Sequence, residues 1–208
     1  MSVDHTFPRK EAAGSHADHE TVTTPASVSV LDLIVERTWL RVRRRYAWLD
    51  YLGITRDRSR DHEASIDPDD LEAEDEWWNR SETGRKWCDA ISESGRLLAE
   101  RFGKSMRRIA EVFGLADTEM ELLQICAAKY LDPSLGDAFA QLTGNPNRSY
   151  VSDALARQLL GLGRDPVWDA AGPASTWGLI RSVPVAGPDE PDALVVDQEV
   201  IGWLQGEL

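Results

Sequence analysis

Residues 113–163, FGLADTEMELLQICAAKYLDPSLGDAFAQLTGNPNRSYVSDALARQLLGLG, decide the fold when read with the two short segments that follow, 176–184 (TWGLIRSVP) and 193–204 (ALVVDQEVIGWL). Asp117 opens a capping-box pattern (Asp117-Thr118-Glu119-Met120-Glu121) ahead of apolar Leu122, Leu123, Ile125, Cys126 and Ala127. A helix therefore starts there and stops near Asp132-Pro133. Ser134 to Leu142 makes the next helix, ended by Gly144-Asn145-Pro146-Asn147. Ser149 then caps one that buries Val151, Leu155, Leu159 and Leu160 and closes at Gly161 and Gly163. Thr176 to Pro184 alternates as a strand, VAGPDEPD makes a turn, Ala193 to Val196 is a second strand, and Asp197 caps a closing helix, Gln198 to Leu204. Three helices followed by strand, wing and strand is the order of a winged helix-turn-helix. The expected fold is mainly α: a helical N-terminal region plus a winged helix-turn-helix with a small β-hairpin wing.

Upstream, Leu31, Ile34, Val35, Trp39, Val42, Tyr46, Leu49 and Leu52 recur at three- and four-residue spacing, which predicts a long amphipathic helix ended by Gly53. Its other face carries Arg37, Arg41, Arg44 and Arg45. From Thr55 to Glu76 apolar residues nearly vanish and acids accumulate, the composition of a solvated connector with one helical turn after Asp67-Pro68. The next helix is read over Trp77 to Phe102, burying Trp78, Trp87, Ile91, Leu98 and Phe102, and a separate short helix over Ser105 to Phe113, ended by Gly114. The organisation is thus a disordered tail at 1–27, a long amphipathic helix at 28–53, an acidic linker at 54–76 and a helical winged-helix domain at 77–208.

Of the 208 residues, 42% are hydrophobic and eight are Trp, enough for a core, while the formal net charge is −13. A molecule so charged repels a phosphate backbone and an anionic membrane surface, so its partners are expected to be proteins. The acidic, lysine-poor composition fits a high-salt cytoplasm and codon bias equally. Cys88 and Cys126 both sit inside apolar helical patterns, which implies reduced core thiols and a cytoplasmic home rather than a disulfide framework. No stretch approaches 18 apolar residues, so no membrane span is expected.

Enzyme signals are weak. Gly103-Lys104-Ser105 resembles the end of a phosphate loop, but the required first glycine is Leu98 and no strand precedes it; the tripeptide reads as a helix end with Gly as its stop. His5, His16, His19 and His62 lie in polar segments without Cys partners, so no metal and no cofactor are expected. No nucleophile elbow is present, and the acidic connector looks solvated rather than pocketed.

Two surfaces remain as candidates. Arg37, Arg41, Arg43, Arg44 and Arg45 form the one dense basic patch, which the neighbouring acids Asp57 to Glu76 are placed to neutralise; a solvated or self-paired face is favoured over a nucleic-acid site. The would-be recognition helix offers only Arg157, with Arg148 and Arg164 at its ends, too few cations for a major-groove reader. Tyr150, Asp153, Arg157 and Gln158 instead make a mixed polar surface suited to a protein partner.

The strings FGLADTEMELLQICAAKYLDPSLGDAFAQLTG, SYVSDALARQLL, WGLIRSV and LVVDQEVIGWL resemble the N-terminal winged-helix region of a family of prokaryotic AAA+ ATPases often associated with contractile injection systems. The similarity runs from about Leu97 to Gly206, on the Phe-Gly-Leu opening, Leu131-Asp132-Pro133, Trp177-Gly178-Leu179, and Leu194 with Asp197. Walker A and B motifs would follow this region, and the chain ends at Leu208, so no ATP-handling residue is carried over. The resemblance implies a non-catalytic module that recognises a substrate or adaptor, or assists assembly, for an AAA+ ATPase cassette in cis or in trans. The alternative is a winged-helix DNA-binding transcriptional regulator using the arginine helix and the wing.

Overall fold

The computed structural model describes residues 29–53 and 67–205. The tail expected at 1–27, the linker residues 54–66 and all four histidines lie outside the described residues. Eight helices and one two-stranded antiparallel sheet are described, which makes the fold mainly α with a small β-hairpin.

Helix α1 (Val30–Tyr51) begins at a reciprocal cap. Ser29 Oγ accepts from the Asp32 amide at 3.1 Å, and Asp32 accepts from the Ser29 amide at 3.1 Å. The helix is buried nearly all round, by Leu33, Ile34, Leu40, Val42, Trp48 and Leu49. It packs against α3 (Glu82–Phe113), α4 (Asp117–Leu131), α5 (Leu135–Thr143) and α6 (Asp153–Leu160). The arginine side is therefore not the solvent side. Arg41 is 5% exposed and Arg45 2%, and among the five arginines only Arg43 faces water.

Helix α2 (Leu71–Arg80) replaces the single turn expected at the end of the linker. Asp70 Oδ1 accepts from the Glu72 and Ala73 amides, so the linker's acids start a helix instead of extending as coil. Trp77 and Trp78 belong to α2, not to the following helix. After a corner at Ser81, α3 runs unbroken to Phe113 through Gly84, Gly95 and Gly103. The break expected between Phe102 and Ser105 does not occur, and Gly103-Lys104-Ser105 is mid-helix rather than a helix end. Two of these glycines meet neighbours at close range, which explains their presence. A Cβ on Gly84 would lie 2.7 Å from the Trp78 ring, and one on Gly95 3.3 Å from the Arg37 guanidinium.

The next three helices follow the expected order with shifted caps. Ala116, not Asp117, precedes α4, and Glu119 Oε2 accepts the Ala116 amide at 2.9 Å; alanine cannot supply the other half of a box. Ser152, which is extended, caps α6 through the Leu155 amide in place of Ser149, and Tyr150 and Val151 lie outside the helix. The Val151 carbonyl accepts from the Leu194 amide at 2.7 Å, joining the entry to α6 to the hairpin. A short helix α7 (Pro173–Thr176) and a turn through Trp177 and Gly178 occupy the first half of the expected strand, leaving β1 as Ile180–Val183. It pairs with β2 (Ala193–Val196) in the register Ile180 with Val196 and Ser182 with Leu194, and α8 (Gln198–Leu204) closes the fold on the Asp197 cap.

One apolar cluster joins α1, α3, α4, α5, α6 and the hairpin; a smaller one gathers Trp48, Leu49 and Trp78 at the α2 corner. Buried arginines hold α1 between them. Arg37 donates to both Glu121 oxygens at 2.8 Å and to Gln124 at 3.1 Å, and Arg41 donates to the same carboxylate. Burial alone would raise the Glu121 pKa, but Arg41 and Arg37 overcome it and hold the carboxyl below its usual range; burial lowers Arg41 to about 10.

Replacing one partner of a buried pair strands the other charge, so Glu121→Gln is expected to destabilise the fold by about 3 kcal/mol in urea unfolding at neutral pH. The Glu121 pKa is lower folded than unfolded. Its contribution is therefore present above the ordinary carboxylate range and lost as pH falls through the folded value, so the deficit of the variant should shrink in acid. A deficit that stays constant with pH would show that the pair is not the cause. Gly84→Ala should lower stability by about 1–3 kcal/mol through the Trp78 clash, read as a lower melting temperature with blue-shifted or broadened Trp emission.

Candidate partner-binding surface

The α1 arginines are placed by the four-residue spacing of 37, 41 and 45, which stacks them on one line of the helix. That line lies between neighbours. Arg45 Nη1 donates to the Pro68 carbonyl at 2.8 Å and to Glu74 at 3.2 Å, while Nη2 donates to Asp69 at 2.6 Å. Glu74 also accepts from the Trp78 indole at 3.0 Å. Burial raises the Glu74 pKa, with Arg45 and the indole only partly opposing it. Arg44 donates to the Leu159 carbonyl at 3.2 Å and lies 5.6 Å over the Trp78 ring. Arg37, Arg41, Arg44 and Arg45 therefore act as internal ties among α1, α2, α4 and α6.

The four polar residues picked out on and before α6 are also engaged internally. Asp153 Oδ1 accepts from the Val167 and Trp168 amides at 2.8 and 2.9 Å, and Oδ2 pairs with Arg157 at 3.1 Å. Arg157 donates to the Arg164 carbonyl at 2.9 Å, and Gln158 donates to Asp69 at 3.1 Å. Tyr150 donates its hydroxyl to Glu190 at 3.1 Å; burial and that carboxylate raise its pKa. Glu190 accepts as well from Asn145 at 3.1 Å and Arg148 at 2.8 Å, which ties the hairpin loop down onto the segment between α5 and α6. These side chains pin loops, and their polar atoms already have partners.

A different surface stands out instead. The Phe113 ring stacks on Trp203 with centroids 5.2 Å apart and meets Trp177 edge-on at 5.9 Å. Trp177 is 61% exposed and Val112, next to Phe113, 56%. Tyr130, from the end of α4, shares a shallow cleft with Ile201 and Trp203 of α8. Scattered exposed apolar residues are ordinary, whereas here aromatic rings touch one another where they reach the surface. The patch is built by chain geometry. The αL turn at Gly178 lets Leu179 enter the core while Trp177 stays outside, and Val200 and Leu204, four apart, take the core side of α8 and leave Trp203 on its flank.

The sequence alone does not reveal the patch, because Trp177 falls inside the segment whose alternation predicts a strand. The signal was present in the α8 spacing, where Trp203 falls off the Val200 and Leu204 line. Among the described residues, no group of three His, Cys, Asp or Glu side chains is arranged to hold a metal ion, and no helix is long and apolar enough to cross a membrane. Cys126 is buried, which pushes its thiol far up, and Cys88 is half-buried.

If Asp153 serves to pin residues 167 and 168, Asp153→Ala leaves two amides without their acceptor and should cost about 1–3 kcal/mol. Amide hydrogen exchange should quicken selectively at Val167 and Trp168, with α4 and α5 unchanged at their own timescale. Uniform quickening would assign Asp153 a global role instead. No protein family, curated protein or solved structure matches this chain.

Proposed function

We propose that this chain is a non-catalytic, cytoplasmic protein-interaction module of winged-helix build that serves an AAA+ ATPase, in cis or in trans, by recognising a substrate or adaptor or by assisting assembly. The observation that carries the interaction reading is the contiguous aromatic cluster of exposed Trp177 with half-buried Phe113 and Trp203. Three helices α4, α5 and α6, then β1 and β2 after the short α7, follow an order compatible with a winged helix. The link to an AAA+ ATPase, and to a contractile injection system as its setting, rests on the motif resemblance alone.

The charge placement weighs against the DNA-binding alternative. Arg41 and Arg45 are buried in ion pairs, and the hairpin loop from Pro184 to Asp192 carries three acids and no Lys or Arg. Phosphate contacts dominate protein–DNA affinity, so a wing of that composition repels the duplex it would have to touch.

Affinity purification of the tagged chain from its native cells is expected to recover an AAA+ ATPase or an injection-particle component, identified by mass spectrometry. Trp177→Ala should reduce that recovery by about tenfold or more, as loss of an interface aromatic does. Recovery of neither component would overturn the ATPase assignment. Fluorescence anisotropy with duplex DNA at about 0.1 M salt should show no salt-dependent binding; such binding would restore the regulator reading.

A further inference from the structure

The C-terminal half of α3 carries cations that the rest of the molecule does not use. Arg101, Lys104, Arg107 and Arg108 are all exposed, and none makes an ion pair or hydrogen bond among the described residues. This is unexpected in a chain with 36 acids and 23 Lys plus Arg. Elsewhere on the same helix Arg96 is paired with Glu93 and Glu100, and on α1 Arg37, Arg41 and Arg45 are paired with acids. Along the chain, the next acid after Arg108 is Glu111.

Positions 101, 104 and 108 follow the three- and four-residue spacing that shares one helix face, and Val112 continues the row. Val112 is the exposed neighbour of Phe113, whose ring meets Trp177 and Trp203. The helix thus presents a row of three cations, about 10 Å long at the α-helical rise, leading to an apolar and aromatic end.

We propose that this row and the aromatic patch together form the docking site for a short acidic segment of a partner protein, with carboxylates on Arg101, Lys104 and Arg108 and an apolar anchor against Val112 and Trp177. This deepens the interaction reading above and rests on it. Charge complementarity selects the occupant. At physiological salt, charges beyond about 8 Å are screened, so a short acidic segment meets the local cations rather than the net charge of −13. A nucleic-acid duplex or a membrane is larger than the row and must also lie against the acidic surface around it.

The test uses the full chain and a fluorescein-labelled synthetic peptide of Glu and Asp residues interrupted by Leu and Trp, beside a control with Gln and Asn at every acidic position. The acidic peptide should bind with micromolar affinity that weakens as salt rises, and the neutral control at least about tenfold more weakly. The triple variant Arg101→Gln, Lys104→Gln, Arg108→Gln should weaken acidic-peptide binding by about tenfold, three modest exposed pairs acting together. Trp177→Ala should weaken both peptides. The double variant Arg85→Gln, Lys86→Gln, which removes exposed cations at the far end of α3, should change nothing. Circular dichroism and melting temperature report that the variants fold.

Equal binding of the two peptides, an unaffected triple variant, no binding at all, or tighter binding to duplex DNA or to phosphatidylserine vesicles would each overturn the proposal. Peptide binding without recovery of an ATPase from cells would instead sink only the ATPase assignment, and recovery that survives the triple variant would sink only the docking site.

Discussion

A guanidinium cannot sit unpaired in an apolar interior, and α1 carries a line of them into one. Three of the neighbours around α1 bring the acceptors, and this condition organises how they pack. Helix α4 brings Glu121 to Arg37 and Arg41. The segment entering α2 brings the Pro68 carbonyl and Asp69, and α2 brings Glu74, to Arg45. Helix α6 brings the Leu159 carbonyl to Arg44, and Gln158 joins it to the same Asp69. Pairs of this kind add little net stability over apolar packing, but they penalise any arrangement that leaves one half alone. The ties therefore act on specificity, fixing which helix lies where around α1.

With those cations spent internally, the interaction surface proposed above lies elsewhere. The hairpin loop is held down by Glu190, and the polar side of α6 is occupied by its own loops. What remains open is the far side, where α3 ends beside α8 and the turn before β1. Trp177 and the α3 cations face outward there, so the docking site proposed above needs little ordering on binding.

The order of elements was legible in the sequence because capping residues and glycine stops are local signals; Gly53, Gly114 and Asp197 act where the sequence places them. The misread positions share a physical cause, which is that tertiary packing overrode local propensity. Gly103 does not end α3, because one continuous helix buries Leu98 and Ile109 in a single core. Ser149 looked like a cap, but the hydrogen bond between Val151 and Leu194 keeps that stretch outside the helix up to Ser152. The arginines of α1 read as a solvated or self-paired face, and Arg45 does pair with Asp69 and Glu74 of the acidic stretch. Spacing cannot reveal, however, that the line is buried or that Arg37 meets a carboxylate 84 residues away. Tyr150, Asp153, Arg157 and Gln158 were correctly read as polar, yet the partners that occupy them come from distant loops.

The unbroken length of α3 joins two parts of the fold. The helix borders both apolar clusters, with Trp87 and Cys88 in the smaller one and Leu98 and Ile109 in the larger. From Gly84, wedged against Trp78, to Arg108 is about 36 Å of continuous hydrogen-bonded backbone. Long helices curve gently around the core they cover. The end of α3 beside α8 and the tryptophan corner are thus joined by one uninterrupted backbone ladder.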